Sequence, residues 1–149
     1  MSDEQGNMEV VRRYFEEWSN RGDARVVEEV IHPNWITHGT QSAFLDRPGL
    51  PRGIAGAKQL HEEVRSIWPD HRWTIEDMFA AGDKVCVRLT NRATHQGNYR
   101  GIPATGKSVV FSSIWILRLV DGQIVEVWRS ADDLGCVMQI GGSIVPPNG

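Results

Sequence analysis

The N-terminal part of the chain carries its large apolar residues at helical spacing. Recurrence at intervals of three and four residues is typical of an amphipathic helix. Asn7 is placed to cap this first helix, and Gly22 lies just beyond its end. The predicted apolar face consists of Val11, Tyr14, Phe15 and Trp18.

Two more helices are predicted before the pattern changes. A short one covers residues 23–31, and Pro33 follows it. Residues 39–53 are rich in glycine and proline and are expected to form a loop. A longer helix covers residues 54–68, and Pro69 ends it.

The second half of the chain is typical of strands, with β-branched and aromatic residues at alternate positions. Asp121-Gly122 is a strong signal for a type I′ hairpin between the last two strands. Asp132 or Ser130 can cap a closing helix that runs to Gln139. The four predicted strands cover about 71–79, 84–95, 107–120 and 123–130.

Helices followed by strands predict an α+β fold in which N-terminal helices cover a curved antiparallel sheet. At 149 residues, the chain is long enough to bury its own core. We therefore expect a single domain, residues 1–149, with its core at about 8–141.

Residue parity places polar side chains on otherwise apolar strand faces. Asn91 and His95 share the apolar face of the second strand, and Ser113 and Trp115 occupy the corresponding face of the third. Arg129 continues a face that two valines begin on the fourth. Because polar groups cost free energy against an apolar lining unless they are paired or used, this face is a candidate reaction site.

Composition excludes several classes of partner. The net charge is −3 and no basic run interleaves with aromatic residues, which argues against nucleic acid. No window approaches the ~18 apolar residues that a membrane span needs. The N-terminus has no apolar signal region, and two cysteines without paired spacing fit a reducing cytoplasm. The five histidines lack metal-ligand spacing, so no metal is expected.

Residues 101–108, GIPATGKS, match the phosphate-binding loop pattern letter by letter. That loop needs a helix to follow it, since phosphates bind at the helix N-terminus. The following residues, SVVFSSIWILRLV, are β-branched and aromatic and predict a strand. The match is therefore interpreted as accidental.

The last third of the chain contains THQG, GIPATGKS, VDGQIVEVW and DDLGCVMQIG in that order. This succession resembles the SnoaL-like polyketide and ester cyclases, and the earlier segments IHPNWITHG and GIAGAKQLHEEV fit the same pattern. The resemblance covers about residues 8–141. It implies a nuclear-transport-factor-2-like fold: a cone-shaped α+β barrel, usually a homodimer, with a deep apolar pocket and no cofactor.

The resemblance also implies roles for residues near the end of the sheet. The cyclases use an aspartate on the closing strand as general acid and base. Arg129 occupies that position here, and the common family aspartate falls on Asp132. Ser113 and Trp115 fall on the polar pocket positions of the preceding strand.

Three residues are the catalytic candidates. Asp132 would move a proton, although a helix cap is the alternative role. His95 or Arg129 would stabilise an oxyanion; a hydrogen-bonded core histidine and an arginine that extends to water are the alternatives. Asp133, His61 and His71 are interpreted as helix-end or surface residues. The predicted substrate-binding residues are Phe15, Trp18, Trp35, His38, Asn91, Ser113 and Trp115, although core packing is the usual role of tryptophan.

The leading hypothesis is a cofactor-independent enzyme that cyclises or isomerises an apolar, carbonyl-rich small molecule by acid/base catalysis. An epoxide hydrolase is the first alternative, and it needs a second inward carboxylate from Asp46, Glu63 or Asp70. A non-catalytic, dimeric module that binds an apolar ligand is the second. 

Overall fold

The computed structural model describes residues 3–38 and 49–148, and the predicted loop at 39–48 lies outside these residues. The first helix begins earlier than predicted, so Asn7 lies within it instead of capping it. This helix continues into a π-helical turn, Tyr14–Ser19. The α-helices are α1 Asp3–Arg13, α2 Ala24–Val30, α3 Gly53–Ile67 and α4 Asp133–Gln139.

Five strands form one sheet in the order β1-β5-β4-β3-β2. Neighbours are antiparallel except for β1, which runs parallel to β5. The four predicted strands and the α+β class are confirmed, and β1 is an addition that the sequence analysis did not predict as a strand. The strands are β1 Ile31–His38, β2 Arg72–Ala81, β3 Lys84–Thr94, β4 Ser108–Val120 and β5 Gln123–Ala131.

Local backbone geometry sets the register and the curvature of the sheet. Asp121 and Gly122 have φ angles of 51° and 74°, the two positive values that a type I′ hairpin requires. The β2–β3 pairing shifts between Ile75 and Asp77, and the β4–β5 pairing shifts after Arg118. Such bulges bend a sheet, so its concave face can enclose a space.

The predicted parity of the strands is confirmed. The inner face of the sheet packs on α1, the π-helical turn and α2, and its valines and leucines on β3 are fully buried. A smaller cluster around Trp68, Tyr99 and Ile140 closes the other end of the sheet. The outer face keeps Ile114 and Ile116 exposed.

The segment after GIPATGKS is β4, as predicted, and not a helix. The His95 N–H donates to the Lys107 carbonyl (2.9 Å), and the Gly106 N–H donates to the His95 carbonyl (2.8 Å). These backbone groups continue the β3–β4 pairing and do not form a phosphate cradle. No helix within the described ranges is long and apolar enough to cross a membrane.

A cavity with two polar ends

A cavity of about 70 Å³ lies between the inner face of the sheet and the helices. It is smaller than ordinary small-molecule sites of roughly 300–1,000 Å³, so a ligand of several rings has to displace lining side chains.

Burial raises the pKa of the Cys136 thiol in the wall of the cavity to about 12. The other lining residues are Tyr14, Trp18, Ser19, Ala57, Leu60, His61, Val64, Trp68, Trp73, Ala93, Tyr99, Phe111, Trp115, Arg129 and Asp133.

Arg129 and Asp133 form the polar end of the cavity at β5 and α4, which we call the strand end. Arg129 Nη2 donates to Asp133 Oδ1 at 3.2 Å, and the two side chains are 9% and 19% exposed. Arg129 Nη1 is buried and has no hydrogen-bond partner among the described residues. The guanidinium carbon lies 5.9 Å from the centre of the Trp115 ring. At the strand end, the guanidinium of Arg129 is thus paired with a carboxylate and keeps Nη1 as an unused hydrogen-bond donor.

The structure corrects the predicted placement of the two neighbouring aspartates. Asp132 is exposed and lies outside the cavity lining. Its Oδ1 accepts from the Gly135 N–H at 2.8 Å, so it is the N-cap of α4. Asp133, which was expected to be solvated, is the aspartate that reaches the cavity. It also lines an adjoining surface depression.

Ser19, His61 and His71 form the opposite polar end, which we call the helix end. Ser19 belongs to the π-helical turn, His61 to α3, and His71 directly precedes β2. Ser19 Oγ lies 3.2 Å from His71 Nε2, and His61 Nε2 donates to the Ser19 carbonyl at 3.1 Å. Ser19 and His61 line the cavity, whereas His71 lies outside its lining with an exposed fraction of 4%.

Both imidazoles of the helix end are neutral at pH 7. Burial lowers the pKa of His71 to about 4, and the nearby Arg65 charge lowers it further. Burial is also the main cause that lowers the pKa of His61. The interpretation of these histidines as helix-end or surface residues is wrong for His71, which is buried, whereas His61 is half-buried. Each ring packs against a tryptophan. The His61 ring lies 4.3 Å from Trp18, and the His71 ring lies 4.9 Å from Trp73.

A buried polar chain holds Trp115 in place. Its indole N–H donates to Ser113 Oγ at 3.0 Å, and the Ser113 hydroxyl donates to Asn91 Oδ1 at 2.7 Å. Asn91 and Ser113 point inward as predicted, yet neither lines the cavity. Of the predicted substrate-binding residues, Trp18 and Trp115 do line it.

The other predicted site residues lie elsewhere. His95 is fully buried beside Trp68, and its Nδ1 accepts from the Thr105 N–H at 3.2 Å, so it fastens the loop before β4. Phe15 and Trp35 belong to the core and are not part of the lining.

His38 lies on the outer face of the sheet. It is 2.7 Å from Glu126 and stacked on Trp128. Its direction follows from the pairing of β1 with β5, which the sequence analysis did not include.

The cavity lining within the described ranges contains one carboxylate, that of Asp133. The second carboxylate that an epoxide hydrolase needs is not among those residues: Glu63 and Asp70 both lie outside the lining, and Asp70 accepts hydrogen bonds from Thr94. Asp46 lies outside the described residues. Residues 3–38 and 49–148 contain no group of three or more histidines, cysteines or carboxylates that could hold a metal ion.

Comparison with known proteins gives consistent results. The family model described as SnoaL-like polyketide cyclase matches residues 8–140. The chain is similar to aklanonic acid methyl ester cyclase DnrD of Streptomyces peucetius, with 31% identity over 144 residues and 95% of each chain covered.

Solved structures of other proteins also have a fold similar to that of this chain. TsrD from Streptomyces laurentii has a TM-score of 0.80 and 26% identity, with 95% of this chain and 98% of that chain covered. IdmH from Streptomyces antibioticus has a TM-score of 0.77 and 28% identity, with 91% and 99% covered.

Proposed function

The chain belongs to the SnoaL-like polyketide cyclase family, and from this premise we propose that it closes a carbon ring in an apolar, carbonyl-rich, polyketide-like ester. In this proposal Asp133 takes the proton-transfer role that was expected of Asp132. Arg129 takes the oxyanion role for which His95 was the other candidate. The name of the relative DnrD, aklanonic acid methyl ester cyclase, states a substrate for that protein. We extend to this chain only the class of that compound, an aromatic polycarbonyl ester.

The observation that carries the proposal is the spare donor of Arg129. A buried N–H without a partner costs about 1–3 kcal/mol, so an oxygen atom of a ligand that accepts from Nη1 removes a real penalty. The guanidinium stays charged at every physiological pH. Its hydrogen bond therefore strengthens when the ligand oxygen becomes an enolate or alkoxide, which favours the transition state over the ground state.

Asp133 supplies the proton transfers. Its carboxylate takes a proton from the carbon between two carbonyl groups, and the enolate oxygen formed accepts from Arg129. The enolate carbon then bonds to a second carbonyl carbon of the same molecule. The resulting alkoxide takes the proton back from Asp133, so no atom is gained or lost. The product is an isomer of the substrate.

The aromatic walls support this chemistry by keeping water away from the reacting atoms. Trp18, Trp68, Trp73 and Trp115 surround the space between the two polar ends. Electrostatic interactions are stronger in such a lining than in water, and an enolate is less readily quenched there. The hydrogen bond to Ser113 and the contact with Phe15 hold Trp115 in one orientation.

The test is incubation of the purified protein with aklanonic acid methyl ester, followed by chromatography and mass spectrometry. We expect a product of unchanged mass and altered retention, formed faster than in buffer alone. The same assay in D2O separates ring closure from proton abstraction, because abstraction followed by reprotonation exchanges the acidic carbon-bound hydrogen. Tight binding without either signal would contradict catalysis and favour the ligand-binding module.

A further inference from the structure

The helix end has a property that the proposed reaction does not use: its hydrogen bonds indicate one direction for the Ser19 hydroxyl. The Trp68 carbonyl, which can only accept, lies 3.3 Å from His71 Nδ1. We assign the proton of the neutral ring to Nδ1, which faces this carbonyl, and not to Nε2, which faces Ser19. In a neutral ring the other nitrogen, Nε2, is then an acceptor, so the Ser19 hydroxyl donates to it at 3.2 Å.

Two neighbouring donor atoms are engaged, whereas Arg65 Nε is buried and has no hydrogen-bond partner among the described residues. His61 uses its Nε2 proton on the Ser19 carbonyl at 3.1 Å. Arg65 Nη2 donates to the Asn20 carbonyl at 2.7 Å, outside the cavity. Burial, and next the charge of Arg65, keep the pKa of His71 low, so Nε2 does not acquire a proton that would turn the Ser19 hydroxyl around. Ser19 Oγ thus keeps its lone pairs for another donor.

We infer that Ser19, oriented by His71, forms a subsite that accepts a hydrogen bond from a hydroxyl group of the ligand. Ser19 lines the cavity and is 3% exposed, so the donor has to come from within the cavity. A ketone or ether oxygen placed there meets lone pairs and is disfavoured. A phenol or enol O–H is favoured, because the desolvated hydroxyl finds an acceptor.

This subsite narrows the class of substrate that the proposed function allows. It rests on the proposed function in one respect, that the ligand binds in this cavity. The ligand carries an O–H donor towards Ser19 and an acceptor oxygen towards Arg129. A hydroxylated aromatic ketone satisfies both polar ends, whereas its O-methyl ether satisfies only the strand end. Ser19 and His71 are positioning residues in this arrangement.

The test measures binding alone, by calorimetry, with 6-hydroxy-1-tetralone and 6-methoxy-1-tetralone. We expect the wild-type protein to bind the hydroxyl compound about tenfold more tightly, the usual size of one net hydrogen bond. Ser19→Ala should reduce that ratio to about one. Ser66→Ala removes an exposed hydroxyl that donates to the Glu63 carbonyl at 2.6 Å, and it should leave the ratio unchanged.

A second variant tests the direction of the Ser19 hydroxyl. In His71→Phe the Ser19 hydroxyl can donate to the ether or accept from the phenol, so the ratio of the two affinities should fall to about one. The melting temperature of this variant establishes whether it folds; if it does not, Ser19→Ala decides. A tenfold ratio that persists in Ser19→Ala, or equal binding of both compounds by the wild-type protein, would overturn the subsite.

Failure of the proposed function is distinguishable from failure of this subsite. Arg129→Met should weaken both tetralones by a similar factor and leave their ratio intact. If neither compound binds any variant, the cavity is not the ligand site and the subsite is refuted with it. If the ratio behaves as expected while aklanonic acid methyl ester is not converted, only the proposed reaction is refuted.

Discussion

At the strand end of the cavity a guanidinium and a carboxylate are buried together, whereas at the helix end two imidazoles and a hydroxyl are buried without charge. Arg129 and Asp133 offset their desolvation by pairing at 3.2 Å. His71 avoids the cost by staying neutral, with its pKa lowered to about 4 by burial. Both arrangements are compatible with a low-dielectric interior. They differ in the hydrogen-bonding group that stays available to a ligand.

The difference concerns what each end can do for a ligand. The strand end retains a donor on a permanent cation, which suits an oxygen that gains negative charge during a reaction. The helix end retains an acceptor on a neutral group, which suits recognition of a hydroxyl that does not react. We expect substitutions at the strand end to change turnover most, and substitutions at the helix end to change selectivity and stability.

The largest effect is expected from Asp133→Asn, which keeps the shape and removes the proton acceptor. Turnover should fall by about 10²–10⁴-fold, the usual contribution of a general acid or base. Asp132→Asn is the matched control, because asparagine caps a helix as well as aspartate does. Its turnover should stay within a few-fold of wild type in the same assay. Loss of activity in Asp132→Asn alone would restore the role first expected of Asp132.

Arg129→Met is expected to have the next largest effect on turnover. It removes the donor to the ligand oxygen, and loss of one such donor typically costs about 10²–10³-fold in kcat. Arg118→Met is the matched control, because Arg118 donates to Glu126 at 2.7 Å on the outer face of the sheet.

Melting temperatures of the two arginine variants separate catalysis from folding. If both lose activity in proportion to stability, the guanidinium of Arg129 acts only structurally.

The sequence was sufficient to predict the inner side chains of the strands. Alternation has a period of two, so a few valines and leucines on β3 determine where Asn91 points, and the same rule turns Trp115 and Arg129 inward. The strand β1 could not be predicted in this way. It contains Pro33 and pairs in parallel with a strand about ninety residues later, so no local alternation marks it.

The site required information that spacing does not contain. Asp132 and Asp133 are adjacent, and which one enters the cavity depends on the angle at which α4 leaves β5. His71 follows a proline turn and is typical of a surface residue, yet Ser19, 52 residues earlier, contacts it through the π-helical turn. Trp73 and Tyr99 also line the cavity because segments that are far apart in the sequence pack together there. The alternation of apolar residues after Arg72 was the one signal that could have identified Trp73.

A pH effect on stability tests the neutral state of the helix end. The folded-state pKa of His71, about 4, lies below its ordinary value of 6.5, so between these values the unfolded chain binds the extra proton. The free energy of unfolding should therefore fall as the pH drops below 6.5. One pKa unit corresponds to about 1.4 kcal/mol, which gives roughly 2 kcal/mol between pH 6.5 and 5.

His71→Gln supplies the comparison, because its amide oxygen can accept from Ser19 and does not titrate. Urea unfolding at pH 5, 6 and 7 should give a flatter profile for this variant than for the wild-type protein. Glu126, whose lowered pKa comes from His38 and Arg118 and not from His71, contributes equally to both proteins and cancels in the difference. Parallel profiles would mean that His71 binds its proton equally well in the folded and unfolded states, so that its pKa is not lowered by burial.

The smallest effect is expected from Asp132→Ala, which affects only the start of α4. Losing the 2.8 Å bond from the Gly135 N–H leaves a helix donor without its cap, at a cost of about 1 kcal/mol. For a chain of this length that corresponds to a fall of about 2–4 °C in Tm. Turnover should be retained, because Asp133 and Arg129 stay paired within the cavity. A loss of turnover with unchanged Tm would place Asp132 in the reaction and would remove the distinction between the two neighbouring carboxylates.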